Sequence, residues 1–187
     1  MSDLTALLDR VNAGAPEAAE QLFQQVYGEL RRMAQHQVKD DKFDGALSPT
    51  ELVHEMYLRV FPENATPEFA NRQYFYAAAA QAMRRIRVDQ YRATKAAKRG
   101  GKHRRVDLES GLFLTTEPQL DLTALDEALT KLADMDAEKA RIVELRFFAG
   151  LTMSKVADVS GVSLATAERR WKHAKAWLLV ELQEKET

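Results

Sequence analysis

Residues 151–175, LTMSKVADVSGVSLATAERRWKHAK, decide the fold prediction. Thr152 can accept a hydrogen bond from a free amide of the following turn, so it is a predicted helix N-cap. Gly161 ends the first apolar stretch at a point where a tight turn needs a residue that tolerates positive φ. Ser163 is predicted as a second N-cap. The stretch therefore predicts a helix, a tight turn and a second helix, the pattern of a helix-turn-helix.

The second of these helices has two different faces. Apolar residues recur at three- and four-residue spacing and are expected to face the core: Leu164, Ala167, Trp171, Ala174 and Leu178. The residues expected to face outward are polar or basic: Thr166, Glu168, Arg169, Lys172, His173 and Lys175. Such a face fits the DNA major groove. The alternative is an αα-hairpin whose charged face is only solvated, and the basic second helix favours DNA binding over it.

The composition narrows the class of protein. The chain has 187 residues, a formal net charge of −1 and no cysteine. A lack of cysteine excludes disulfides, cysteine zinc sites and thiol catalysis, and it fits a cytoplasmic location. The low glycine and proline content favours helices, and no alternating run predicts a strand. The first residues contain no long apolar run, so we expect neither a signal peptide nor a membrane span.

Charge is unevenly distributed along the chain. Between Arg84 and Arg105 the charged residues are basic except for Asp89, whereas acidic residues predominate between Asp107 and Glu138. A segregated pattern of this kind predicts one face for nucleic acid and another that meets a protein partner.

Apolar periodicity predicts further helices at residues 3–13, 17–38, 49–61, 72–97, 121–133 and 137–148. Pro16 is predicted at the first position of the second of these helices. Ser48 and Glu51 form a predicted capping box, with Pro49 in the first turn. Asp136 is a predicted N-cap.

The sequence holds no recognisable catalytic constellation. His54-Glu55 resembles the start of a zinc metalloprotease motif, but the second histidine would fall at Leu58. No carboxylate is paired with a histidine or a glycine-rich loop, so we expect no catalytic residue, no metal and no cofactor. Glu51, Glu55 and Arg59 are instead expected to be solvated or to face a partner.

The predicted helix at residues 72–97 begins with aromatic residues, Tyr74 to Tyr76, and ends with basic ones. In a nucleic-acid interface, aromatic rings stack on unpaired bases while arginine and lysine hold the phosphates. The alternative places Phe75 and Tyr76 in the core and leaves the basic end solvated.

Residues 98–119 show no sustained periodicity and include Gly100-Gly101, Gly111 and Pro118. They are predicted to form a flexible basic linker. The predicted fold is therefore all-α, with one small helical domain at residues 1–97 and a second, which contains the helix-turn-helix, at residues 120–187.

Four segments together resemble the extracytoplasmic-function (ECF) sigma factors of bacterial RNA polymerase. They are GAPEAAEQLFQQVYGELRRMA (14–34), LSPTELVHEMYLRVF (47–61), YFYAAAAQAMRRIRVDQYRATKAAKRGG (74–101) and LTMSKVADVSGVSLATAERRWKHAKAWL (151–178). The third is the most distinctive, because Met83-Arg84-Arg85 and Lys98-Arg99-Gly100-Gly101 are similar to one ECF subgroup.

The resemblance implies three sets of contacts. The helix that ends at Phe61 would dock on the clamp helices of the RNA polymerase largest subunit through Leu52, Glu55, Met56 and Arg59. The −10 promoter element and its phosphates would be held by Asn71, Tyr74, Tyr76, Arg84, Arg85, Arg87, Arg92, Lys95, Lys98 and Arg99. The −35 element would be contacted by Ser163, Thr166, Glu168, Arg169, Arg170, Lys172, His173 and Lys175.

The resemblance also implies the function and the partners. The chain would bind core RNA polymerase, at the clamp helices and the flap, and direct promoter recognition and strand opening without enzymatic activity of its own. Relatives are often held by an anti-sigma protein, and nothing in the sequence identifies one. The alternative function is a helix-turn-helix regulator that acts as a homodimer without a role as a polymerase subunit.

Overall fold

The computed structural model describes residues 2–39, 46–63, 65–97, 105–106 and 120–184. The helices within these ranges are α1 (Ser2–Asn12), α2 (Ala18–Val38), α3 (Pro49–Val60), α4 (Arg72–Ala97), α5 (Leu122–Met135), α6 (Ala137–Val143), α7 (Met153–Ser160) and α8 (Leu164–Glu184). A π-helical segment, Glu144–Phe148, continues α6. Two-residue strands, β1 (Arg105–Val106) and β2 (Leu120–Asp121), pair in antiparallel fashion. The prediction of an all-α fold is confirmed.

Most helix starts follow from their capping residues. Ser48 and Glu51 form the predicted capping box, with Pro49 in the first turn. Asp136 accepts a hydrogen bond from the backbone N–H of Lys139, and Thr152 accepts one from that of Lys155. These three predictions are confirmed, since each side chain accepts from an amide that has no partner within its helix.

The local structure differs from the sequence predictions at three places. Pro16 does not begin α2, because Glu17 takes a left-handed conformation at φ 62° and the helix can start only after it. The helix predicted at 137–148 changes to π-helix at Glu144. The β1–β2 pairing was not predicted, because two residues are too few to show an alternating pattern.

The N-terminal helices pack around an aromatic cluster. Phe61 lies between Tyr57 and Phe75, with ring centroids 5.0 Å and 6.5 Å away, and Phe69 meets Phe75 edge-on at 5.4 Å. Phe75 is fully buried. The alternative that placed Phe75 and Tyr76 in the core is therefore confirmed for both residues, since Tyr76 is only 8% exposed.

Helix α4 is the element shared by the two halves of the chain. It packs on α2 and α3, and its other side meets α5, α6, α7 and the π-helical segment. The buried apolar residues of α1–α4 and of α5–α8 form one continuous cluster. The division into two domains stays a prediction, and the predicted linker lies almost wholly outside the described residues.

Candidate nucleic-acid interface

The turn between α7 and α8 has the predicted geometry. Gly161 lies at φ 64°, and its N–H bonds to the carbonyl oxygens of Ala157 and Asp158. The Ser163 hydroxyl then accepts a hydrogen bond from the Thr166 N–H at 3.2 Å, so the second predicted N-cap is confirmed. Val156 and Ala157 are buried against the core. Left-handed glycine and the serine cap together fix the direction in which α8 leaves the turn.

The side of α8 that faces away from the core is exposed along its first half. Glu168, Arg169, Lys172 and His173 are exposed, whereas Ala167, Ala174 and Leu178 are fully buried. Leu164 was predicted to face the core, but it is 46% exposed. It occupies the first helical position, where the chain has only just left the turn. The exposed residues thus form one polar and basic strip.

One residue predicted to contact the −35 element, Arg170, also holds α8 in place. Arg170 donates to the Glu138 carboxylate of α6 at 3.0 Å, and its side chain is only 30% exposed. Lys175 is half-buried and has its own intramolecular interaction. Ser163 and Thr166 bond to each other through their hydroxyls at 2.9 Å. The strip that remains open to a partner is therefore centred on Arg169 and Lys172.

The residues at the start of α4 are already engaged within the protein. Asn71 caps the helix, because its side-chain oxygen accepts from the backbone N–H groups of Gln73 (2.9 Å) and Tyr74 (3.3 Å). The Arg141 guanidinium lies over the Tyr74 ring, 4.1 Å from its centroid. Tyr76 donates its hydroxyl to the Glu29 carboxylate. Burial, followed by this hydrogen bond, raises the pKa of Tyr76 far above its ordinary value.

Arg84 is the most deeply buried charge near α4, at 1% exposure. Its guanidinium bonds to Asp126 of α5 and, at 2.8 Å, to Glu144 of the π-helical segment. The Phe148 ring lies 5.2 Å from the same guanidinium. Burial raises the pKa of Glu144, and the nearby Arg84 charge opposes that rise. The residue predicted to hold a DNA phosphate thus holds two carboxylates of the C-terminal helices.

The other basic residues of α4 are placed differently. Arg85 is exposed, and Arg92 is half-exposed with its guanidinium 4.0 Å from Glu127. Arg87 is buried at 7% exposure and has an intramolecular interaction. Lys98, Arg99 and the side chain of Lys95 lie outside the described residues. Arg85 and Arg92 are accordingly the basic residues of this set that are open to solvent among those described.

Helix α3 presents a mixed surface on its outer side. Leu52 and Met56, named as polymerase contacts, are fully buried against the core, as their apolar periodicity requires. Glu55 and Arg59 are exposed, and Arg59 pairs with Asp89 of α4 at 2.9 Å. Leu58, which sequence reasoning did not assign, is 62% exposed beside them. The feature of the sequence that could have identified Leu58 is that it is an apolar residue outside the buried apolar stripe of the helix.

Sequence reasoning also missed the acceptors that meet α4. The acceptors are Asp126 and Glu144, which bind Arg84, and a third partner, the Arg141 guanidinium, lies over the Tyr74 ring; all three come from the C-terminal half, and the sequence gives no hint of contacts that span some 40 to 70 positions. Within the described ranges, no group of three or more histidine, cysteine, aspartate or glutamate side chains is arranged to hold a metal ion. No helix in the described part of the chain is long and apolar enough to cross a membrane.

Comparison with known proteins places these observations in a family. A family model described as ECF sigma factor matches residues 1–184. Neither the curated proteins nor the solved structures include a match to this chain. The matched residues span every helix described above, from α1 to α8, so both the α4 surface and the exposed strip of α8 lie within the family's region. The chain belongs to the ECF sigma factor family of DNA-binding proteins that act in transcription.

Proposed function

We propose that the protein binds core RNA polymerase as a dissociable subunit and directs it to promoters, which it helps to open. Proteins of this family bind core RNA polymerase, promoter DNA and anti-sigma factors. In the proposal, α8 reads the −35 element, α4 holds the −10 element, and α3 docks on the polymerase.

The observation that carries the proposal is the exposed strip of α8. Arg169 and Lys172 point into solvent directly after a capped turn, while Ala167 and Ala174 anchor the other side of the helix. A helix anchored on one face and basic on the other can enter the major groove without rearrangement. Arginine can bond two acceptors of a guanine edge, whereas lysine more often meets a phosphate.

The polymerase contact is proposed for the outer side of α3. An exposed leucine flanked by an acidic and a basic residue is a typical protein-binding surface, because it combines apolar area with charges that set orientation. Leu58, Glu55 and Arg59 supply this combination. Leu52 and Met56 would support the surface from beneath, since both are fully buried.

The first prediction tests the role of α8. Arg169→Ala should lower run-off transcription from a responsive promoter by about tenfold or more, because one bidentate base contact is worth about 1–3 kcal/mol. Co-elution with core polymerase should be unchanged. Arg31→Ala serves as the matched control, since that side chain is exposed on α2 rather than on α8.

The outcomes separate the two candidate functions. Core polymerase that never co-purifies with the chain would contradict the sigma-factor proposal and favour a regulator that acts as a homodimer. Arg170 is left unchanged in this test, because its pairing with Glu138 links α8 to α6 and its loss would disturb the fold.

A further inference from the structure

We propose that a cavity between α2, α4 and α7 binds a small amphipathic carboxylate, a molecule with one negatively charged head and a short apolar body. The cavity has a volume of about 430 Å³. Ligand pockets in proteins usually measure about 300–1,000 Å³, so this space suits a small molecule and is too small for a folded partner. The inference goes beyond the proposed function and does not depend on it, since it concerns a ligand of the free chain.

One part of the cavity lining is apolar. Val26 and Met33 of α2 and Val159 of α7 line the cavity, and each of these side chains is at most 6% exposed. Half-buried Leu4 of α1 and Leu151, which precedes α7, add to the same apolar lining. A ligand gains free energy here by moving apolar surface out of water, so the lining selects a molecule with an apolar body.

The charged part of the lining is mainly cationic. Arg32, Arg72 and Lys155 supply three positive charges, and the Glu29 carboxylate supplies a negative one. Asp158 pairs with Arg72 at 3.1 Å and with Lys155 at 3.2 Å. Three cations and two carboxylates leave one net positive charge. A ligand with a single negative charge would neutralise this group, whereas a phosphate monoester, with a charge of about −1.5 to −2, would leave it negative.

Arg72 is held in position and still has donors to offer. Its Nη2 bonds to the backbone oxygen of Asp158 at 3.2 Å and to the carboxylate of the same residue at 3.1 Å. Within the part of the chain that the structure describes, its Nη1 and Nε make no hydrogen bond. Glu29 is already engaged, because it accepts the Tyr76 hydroxyl. The guanidinium fork matches a carboxylate, so Arg72 can bind a ligand head while it keeps its contact with Asp158.

The cavity is open to solvent on one side and has a fixed wall elsewhere. Its lining includes three exposed polar residues, Gln25, Arg32 and Lys155. His36 and Gly150 also line it, and His36 Nε2 lies 2.9 Å from the carbonyl oxygen of Phe147. A Cβ on Gly150 would lie 2.9 Å from the His36 ring, so the two residues meet without room for a side chain. A wall fixed in this way reduces the ordering that a ligand must impose when it binds.

Titration of the ¹⁵N-labelled full-length chain with sodium octanoate tests the inference, because octanoate combines one carboxylate with a short apolar chain. Two-dimensional ¹H–¹⁵N spectra should show saturable shifts at amides of the cavity lining, among them Met33, Gly150, Leu151 and Val159. The dissociation constant should be about 1 mM or lower. Acetate lacks the apolar chain and octyltrimethylammonium carries the opposite charge, so neither should give saturable shifts at these amides. The measurement contains no polymerase and no DNA, so its outcome is independent of the proposed function.

A pair of variants locates the binding energy. Arg32→Gln/Lys155→Gln should weaken octanoate binding by about tenfold or more, because it removes two of the three cations that attract the carboxylate. Both side chains are more than half exposed, at 76% and 53%, so the fold should persist. Arg31→Gln/Lys39→Gln is the control, since it removes the same charge from exposed residues that do not line the cavity, and it should bind like the wild type.

Three results would overturn the inference. The first is equal octanoate affinity in the two variants, which would show that the cations of the cavity do not hold the carboxylate. The second is an equal response of the wild type to octyltrimethylammonium, which would show adsorption of apolar chains without regard to charge. The third is the absence of saturable shifts in the wild type, and this result holds whether or not either variant folds.

Discussion

At the scale of single residues, Arg84 and Arg85 are chemically identical neighbours with opposite environments. Arg84 is 1% exposed and bound to two carboxylates, whereas Arg85 is exposed. Arg84→Ala should lower the free energy of unfolding by about 3–5 kcal/mol, because it leaves the buried Glu144 carboxylate without its cation. Arg85→Ala should change it by no more than about 0.5 kcal/mol. Urea unfolding followed by far-UV circular dichroism measures both.

Equal losses in the two variants would mean that the Arg84 cluster is open to water in solution. The sequence could not separate these residues, because both belong to one basic run and their partners lie on distant elements. The apolar spacing of Leu52 and Met56 is enough to account for their burial, since a stripe at helical spacing depends only on local geometry. Burial of a charge depends instead on long-range acceptors such as Glu144, which local patterns do not encode.

At the scale of elements, the start of α6 depends on one aspartate. The Lys139 side chain, and then its backbone N–H, lowers the pKa of Asp136 below its ordinary value of 3.8. A group with a lowered pKa stabilises the fold above its unfolded pKa, and this contribution is lost as pH falls through the folded pKa. Asp136→Ala should therefore cost about 1 kcal/mol at pH 7 and progressively less below about pH 4.

Two further variants serve as controls for the pH dependence of the stability of Asp136→Ala. Asp136→Asn keeps a capping acceptor without a titrating group, so its stability relative to Asp136→Ala should not change over the same pH range. Asp134→Ala removes an exposed carboxylate that caps no helix in the structure, and it should change stability by no more than about 0.5 kcal/mol. A constant difference between the wild type and Asp136→Ala down to pH 2.5 would contradict the role of the ionised cap.

The capping residues show how much of each element the sequence could predict. Ser48, Asp136, Thr152 and Ser163 each accept from an amide three residues away, so their signal is local and the helix starts followed from it. The π-helical segment at Glu144 carries no comparable signal. It lies where α6 meets α4, and its position therefore belongs to tertiary packing rather than to local preference.

At the scale of the whole molecule, the two tryptophans allow the unfolding of the C-terminal half to be compared with the unfolding of the whole chain. Trp171 and Trp177 both lie on α8, so their fluorescence reports the C-terminal helices, whereas far-UV circular dichroism reports all of them. Because one continuous buried cluster spans α1–α8, the two probes should give coincident urea transitions in the wild type. In Asp126→Asn/Glu144→Gln the two transitions should no longer coincide, since this variant leaves Arg84 buried at the junction of the two halves without its countercharges. Separate transitions in the wild type would show instead that the two halves fold as independent domains. The control Asp9→Asn/Asp134→Asn, measured with the same two probes, establishes whether the loss of two negative charges alone uncouples the halves.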